Sequence, residues 1–171
     1  MERISRKELL YALSLFDKNL NKDILLIAVG ETAMILLGIK DSTNDIDFNI
    51  PSNDDFREFN RVNNKIKLDI KIDSWSSNMI FSETLPEDYI KSAIEYKTTF
   101  KKIDIWILNP IDIICSKISR LDDVDMEDIK DCIKYASITK VQLIKRASLY
   151  SRAGSDDIFE QNLKYIIENM F

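Results

Sequence analysis

Residues 24–51 read ILLIAVGETAMILLGIKDSTNDIDFNIP, and this stretch decides the fold. Ile24 to Val29 is an almost unbroken apolar run rich in β-branched residues, which predicts a strand buried on both faces. Gly30 ends the strand, and Glu31 to Leu37 predicts a short helix with Ala33, Met34 and Leu37 on one side, stopped by Gly38. Asp45 to Ile50 then alternates strictly, Ile46, Phe48 and Ile50 on one face and Asp45, Asp47 and Asn49 on the other, until Pro51. The order is buried strand, glycine turn, helix, acid-bearing strand.

Upstream, Leu9, Leu13, Phe16 and Leu20 recur at helical spacing behind Ser5, a natural cap, so an amphipathic helix opens the chain and turns at Asn19 to Asn21. Downstream, Ser52 caps a helix expected through Asn63, with Phe56, Phe59 and Val62 as its buried stripe. Residues 65–73 alternate again and predict a third strand. Ile66, Leu68, Ile70 and Ile72 share one face, and Lys65, Lys67, Asp69, Lys71 and Asp73 share the other. A loop follows, then a short helix begun by Pro86 with Tyr89, Ile90 and Ala93. Strand-like pieces around Lys97–Phe100 and Ile103–Leu108 are joined by a turn at Lys101-Lys102. From the Asn109-Pro110 cap onward the pattern is helical, over roughly 110–121, 125–137, 140–152 and 155–170, with Gly154 between the last two. No internal repeat or low-complexity tract interrupts this. The expectation is a single α+β (mixed α/β) domain over 1–171, with a sheet-containing core in 1–108 and a helical part in 109–171 packed on it.

Composition narrows the chemistry. The 171 residues contain 24 Lys+Arg against 29 Asp+Glu, a formal charge of -5, and 45% hydrophobic residues, which suits a globular core and argues against a protein that coats nucleic acid. A local basic groove stays compatible with that balance. Histidine is absent, which excludes Ser-His-Asp and Cys-His catalysis and a classical zinc site. Cys115 and Cys132 are too few to staple a secreted fold and read as reduced, buried thiols. With no signal-peptide-like block at the N-terminus and no bilayer-length apolar run, the expected location is cytoplasmic, without membrane contact.

The acids carry the functional signal. Period-two geometry puts Asp45 and Asp47 on one face of one strand with Cα atoms about 6.5–7 Å apart. Two unpaired carboxylates about 4 Å apart repel by roughly 4 kcal/mol at an effective dielectric near 20, so they are best tolerated with a cation between them or with ample water. Mg²⁺ uses one or two carboxylates plus substrate phosphates and needs no histidine. Asp69 and Asp73 offer a further acid from the next strand, for a second ion or for deprotonating an attacking hydroxyl. Asp69, placed mid-strand between Leu68 and Ile70, ranks slightly ahead. The competing reading makes all four acids the solvated face of a half-exposed antiparallel sheet, interleaved with Lys65, Lys67 and Lys71. Context favours a site, because Gly30 opens a helix where backbone N–H groups can face phosphate oxygens, and the Asp-x-Asp strand follows at once.

These residues resemble the nucleotidyltransferase superfamily of the DNA polymerase β-type fold, whose pattern is an apolar residue, Gly, Gly or Ser, a spacer, and Asp-x-Asp on the next strand. Here it reads Val29-Gly30-Glu31, a spacer, and Asp45-Ile46-Asp47-Phe48. The stretch Gly30-Glu31-Thr32-Ala33, Gly38 and Thr43-Asn44-Asp45-Ile46-Asp47 is similar to the small prokaryotic branch that includes AbiEii-type toxins. A second segment is similar to that branch as well: Leu108 to Ile114, then Ser116-Lys117, Arg120, Asp125 and Asp128-Ile129.

The resemblance implies a nucleotidyltransferase-like mixed sheet flanked by helices, with a short C-terminal helical tail. It implies an Mg²⁺- or Mn²⁺-dependent transfer of NMP from NTP to a hydroxyl on RNA, protein or a small molecule, in a toxin that could have a cognate antitoxin. Asp45 and Asp47 would bind the metal, and Asp69 or Asp73 would be the third catalytic carboxylate. Gly30, Glu31 and Thr43 would lie against the nucleotide, and Lys117 and Arg120 would neutralise its triphosphate. On their own, Lys117 and Arg120 read equally as an exposed helix face pairing with Asp122, Asp123 or Asp128. Asp125 and Asp128 read as groups that orient those cations or cap a helix. The family's Gly or Ser is Glu31 here, which can point to solvent, reach a metal, or mark lost or altered catalysis. The alternative to an enzyme is a catalytically inactive member of the same fold that binds a nucleotide or a partner.

Overall fold

The apolar run after Asp23 becomes the middle strand of a five-stranded mixed sheet in the computed structural model, which describes residues 3–81, 83–152 and 156–171. In chain order the first elements are β1 (Ile4–Ser5), α1 (Arg6–Asn19), β2 (Ile24–Ala28), α2 (Gly30–Leu37), β3 (Ser42–Thr43) and β4 (Ile46–Ile50). Then come α3 (Asn53–Ile66), β5 (Ile72–Ser76), β6 (Met79–Ile80), β7 (Glu83–Thr84), α4 (Tyr89–Ser92), β8 (Ile94–Tyr96) and β9 (Ile103–Ile107). The chain ends with α5 (Pro110–Cys115), α6 (Asp123–Ala136), α7 (Lys140–Ala147), β10 (Ser151–Arg152) and α8 (Asp156–Asn169). These elements gather into two compact units, 1–78 with 93–108, and 79–92 with 109–171. Among the described residues no helix is long and apolar enough to cross a membrane.

In the first unit the sheet order is β5-β4-β2-β9-β8. β4 lies antiparallel to β2 and parallel to β5, while β9 lies parallel to β2. β4-α3-β5 is therefore a parallel crossover, and every residue of β4 is buried, as its central position requires. Phe48 faces α3, where it meets Phe59 edge-on at 6.2 Å, and Phe59 stacks on Phe16 of α1 at 4.8 Å. Burial of each such ring stabilises the fold by roughly 2–3 kcal/mol. Ser5 caps α1 in a reciprocal box with Glu8, and Ser52 caps α3, as their positions before apolar stripes predict. Gly38 ends α2 at φ 77, a left-handed conformation that glycine adopts without penalty.

Two strand expectations need correcting. Residues 65–73 are not one strand: α3 continues to Ile66, Lys67 closes it in the left-handed region at φ 49, and pairing with β4 begins only at Ile72. The helical stripe of Phe59 and Val62 carries the chain past the start of the alternating pattern. Likewise the strand expected at Lys97–Phe100 lies earlier, at Ile94–Tyr96, because its ladder is set by Ile94 opposite Ile107 and Tyr96 opposite Ile105. Residues 97–102 make the connection, and the Asp17 carboxylate accepts backbone N–H bonds from Lys101, Lys102 and Ile103 there.

The second unit holds α4 to α8 and a small antiparallel sheet of order β10-β7-β6. Asn109, Asp122 and Thr139 cap α5, α6 and α7 through their side chains. Two of these helices are shorter than expected: α5 stops at Cys115 and α7 at Ala147, and Ser151–Arg152 pairs as a strand with β7 instead of extending a helix. Gly154, expected to separate the last two helices, lies outside the described residues. Cys115 and Cys132 are buried free thiols.

Candidate metal centre

Asp45 directly precedes β4 and Asp47 is its second residue, so both project from the face opposite Phe48. The parallel register sets Asp73 of β5 beside Asp47. One carboxylate oxygen from each of Asp45, Asp47 and Asp73 falls within 4.8 Å of the other two. Lys71, on the approach to β5, donates to Asp73 Oδ2 and brings its Nζ to 3.4 Å from Asp45 Oδ2. The solvated-sheet reading fails at the middle acid, for Asp47 is 5% exposed. Asp45 and Asp73 keep about a third of their side chains in solvent, at 33% and 38%.

Local bonds fix this arrangement. Thr32 of α2 accepts the backbone N–H of Asp47 at 2.9 Å and donates to the Asp45 carbonyl, while the Val29 N–H donates to the Asp47 carbonyl at 3.2 Å. Gly30 makes the strand-to-helix turn at φ 54, where a side chain would be strained, and no side chain caps the first turn of α2. Glu31, at that turn, is held by Lys40 at 3.1 Å and by Arg3 at 3.8 Å.

The electrostatics of Asp47 test whether a metal fits. Burial, then the negative charges of Asp45 and Asp73, push its carboxyl up to about 7; Lys71 pulls it the other way, and Glu31 adds a further upward push. Its Oδ1 is buried and accepts no hydrogen bond. Three carboxylates with a buried, unpartnered oxygen among them offer the hard oxygen donors that divalent cations take, so these residues could hold such an ion.

The structure sorts the remaining sequence-predicted residues. Asp69, ranked ahead of Asp73, is exposed in the bend between α3 and β5 and lies outside the triad, since no ladder extends to it. Thr43 is fully buried on β3 with its Oγ1 unpartnered. Lys117, in the second unit, is not on an exposed face: it is 3% exposed with its ammonium 2.8 Å from Asp125 and 2.9 Å from Asp128. Burial pushes that ammonium down, but the two aspartates outweigh it and hold it above its ordinary range. Arg120 reaches Asp125 at 3.2 Å and covers the Phe81 ring, so Asp125 does orient both cations while Asp122 supplies the cap. Sequence reasoning missed Thr32 and Lys71 as parts of the centre. Thr32 sits two residues past the turn glycine, a position whose hydroxyl can reach the following strand, whereas Lys71 looked like one more residue of an alternating polar face.

Comparison with known proteins agrees with this geometry. A search of curated proteins by sequence finds no match. Among solved structures, an antigenic nucleotidyltransferase-like protein from Paracoccidioides brasiliensis superposes with a TM-score of 0.55 at 12% identity, over 98% of this chain and 90% of that one. At that identity the likeness shows a shared fold. A family model described as "Nucleotidyltransferase of unknown function (DUF6036)" matches residues 7–165, and the chain belongs to that nucleotidyltransferase family.

Proposed function

We propose that this protein is an Mg²⁺- or Mn²⁺-dependent transferase that moves NMP from an NTP to a hydroxyl of RNA, protein or a small molecule. The observation that carries this reading is the buried, unpartnered Asp47 Oδ1 set beside Asp45 and Asp73. These three carboxylates would hold the divalent ion, which when bound neutralises phosphate charge during in-line transfer. Asp73, the more exposed end of the triad, would take the proton of an attacking hydroxyl. The uncapped N-terminus of α2 at Gly30 supplies amides for phosphate oxygens, and Thr32 keeps α2 and the Asp45–Asp47 segment in one register.

Transfer of label from a mixture of α-labelled NTPs in a cell extract tests the reading, with Asp45→Ala and Asp47→Ala as controls. Incorporation that survives both substitutions sinks it. The toxin role rests on the AbiEii-like stretch ending at Asp47; induced expression should arrest growth for the native chain and spare cells carrying Asp47→Asn.

One observation favours the second reading, a non-catalytic nucleotide- or partner-binding protein. Glu31 puts a further carboxylate, ion-paired but negative toward Asp47, where the superfamily pattern carries Gly or Ser. Calorimetry with ATP and Mg²⁺ separates the two, because binding without turnover by any acceptor supports this second reading.

A further inference from the structure

The charges around the triad do not balance, and their geometry shows how they are shared. Three carboxylates and one ammonium leave two negative charges. The Lys71 ammonium touches Asp45 and Asp73, the two outer acids, while Asp47 Oδ1 is left with no hydrogen-bond partner. One divalent ion would complete neutrality with Lys71 in place, whereas two ions would leave an excess of positive charge around it. Lys71 is also open to solvent. Its side chain is 55% exposed and borders a cleft of about 420 Å³ lined by Arg3, Tyr11, Asn44 and Asp69. Glu8 and Asp69 are the acids on that cleft.

We infer that Lys71 is a built-in cation that stands in for one of two divalent ions, so that the protein without nucleotide binds a single ion at the triad. This rests on the metal reading of the same three acids. Its benefit is electrostatic: a tethered ammonium limits repulsion between Asp45 and Asp73, and it yields when phosphates and further cations arrive.

The test is Mn²⁺ binding without nucleotide, followed by electron paramagnetic resonance of the free ion and by calorimetry. The native protein should bind one Mn²⁺. Lys71→Gln should bind two, or bind the first about tenfold or more tightly, whereas Lys71→Arg should behave as native. Lys67→Gln removes an exposed charge four residues earlier in the chain and should change affinity by no more than about twofold. Native-like number and affinity in Lys71→Gln, or equal tightening in Lys67→Gln, overturns the assignment. Asp47→Asn separates the two failures. If it binds Mn²⁺ as the native protein does, the metal reading itself falls and takes the inference with it. If it loses Mn²⁺ while Lys71→Gln stays native-like, only the role of Lys71 falls.

Discussion

Asp112 in the second unit and Asp47 in the first are both buried aspartates, at 0% and 5% exposure, yet they are served differently. Asp112 accepts bonds from Arg146 Nε at 2.6 Å and Nη2 at 2.9 Å and from the Tyr150 hydroxyl at 3.0 Å, and Asp88 takes another face of the same guanidinium. Burial pushes the Arg146 guanidinium down, but Asp112 and Asp88 hold it above its ordinary range. Asp47 instead has acids for neighbours, and the one ammonium in the group serves the other two. A carboxylate whose partners are all supplied by the chain holds a fold together. One left short of a cation is poised to take one from outside.

The largest effect that could break this contrast is on transfer. Asp47→Asn should lower NMP transfer by about a thousandfold or more, the scale on which loss of an electrostatic stabiliser acts. Asp112→Ala should act on stability instead, costing roughly 3–5 kcal/mol by removing the buried partner of Arg146, read as a fall of about 10 °C or more in melting temperature. If Asp112→Ala melts like the native protein, the contrast is wrong.

A third expectation sharpens the difference through pH. The Asp47 carboxyl stands near 7 in the folded chain against 3.8 as its ordinary value, so the folded state holds the proton more tightly. In EDTA the stability contribution is therefore full below the lower value and is lost as pH rises through the upper one, with up to about 4 kcal/mol at stake. Asp47→Asn should abolish that decline and make the protein more stable than native at pH 8 in EDTA. Added Mg²⁺ should restore the native protein and leave the variant unmoved. The smallest effect calibrates the scale: Ser5→Ala removes the hydroxyl that caps α1, costing about 1 kcal/mol with Mn²⁺ binding as in the native protein.

What the sequence disclosed follows from the range of the forces involved. The buried run to Val29, the turn at Gly30, the αL stop at Gly38 and the caps at Ser5 and Ser52 are local, and each is legible from its own few residues. Asp45 and Asp47 share that advantage because their alignment needs only one strand. The third acid did not, since Ile66, Leu68, Ile70 and Ile72 keep a period of two through a segment that is helix end and bend before it is strand. Extending the alternation put Asp69 and Asp73 on one face and Asp69 slightly ahead, whereas the ladder to β4 admits only Asp73. Lys71 against Asp45, and Asp112 against Arg146 and Tyr150, are contacts between distant residues that no local pattern announces.

The parallel pairing of β4 with β5 makes the segment between them a ruler. Asp73 faces Asp47 because α3 and residues 67–71 have a particular contour length, with Ile72 and Ser74 waiting one place to either side. A single insertion or deletion in that bend could preserve every carboxylate and the whole sheet while presenting an isoleucine or a serine beside Asp47. Metal competence in such a fold can thus be gained or lost by a change in chain length alone, with no acidic residue altered.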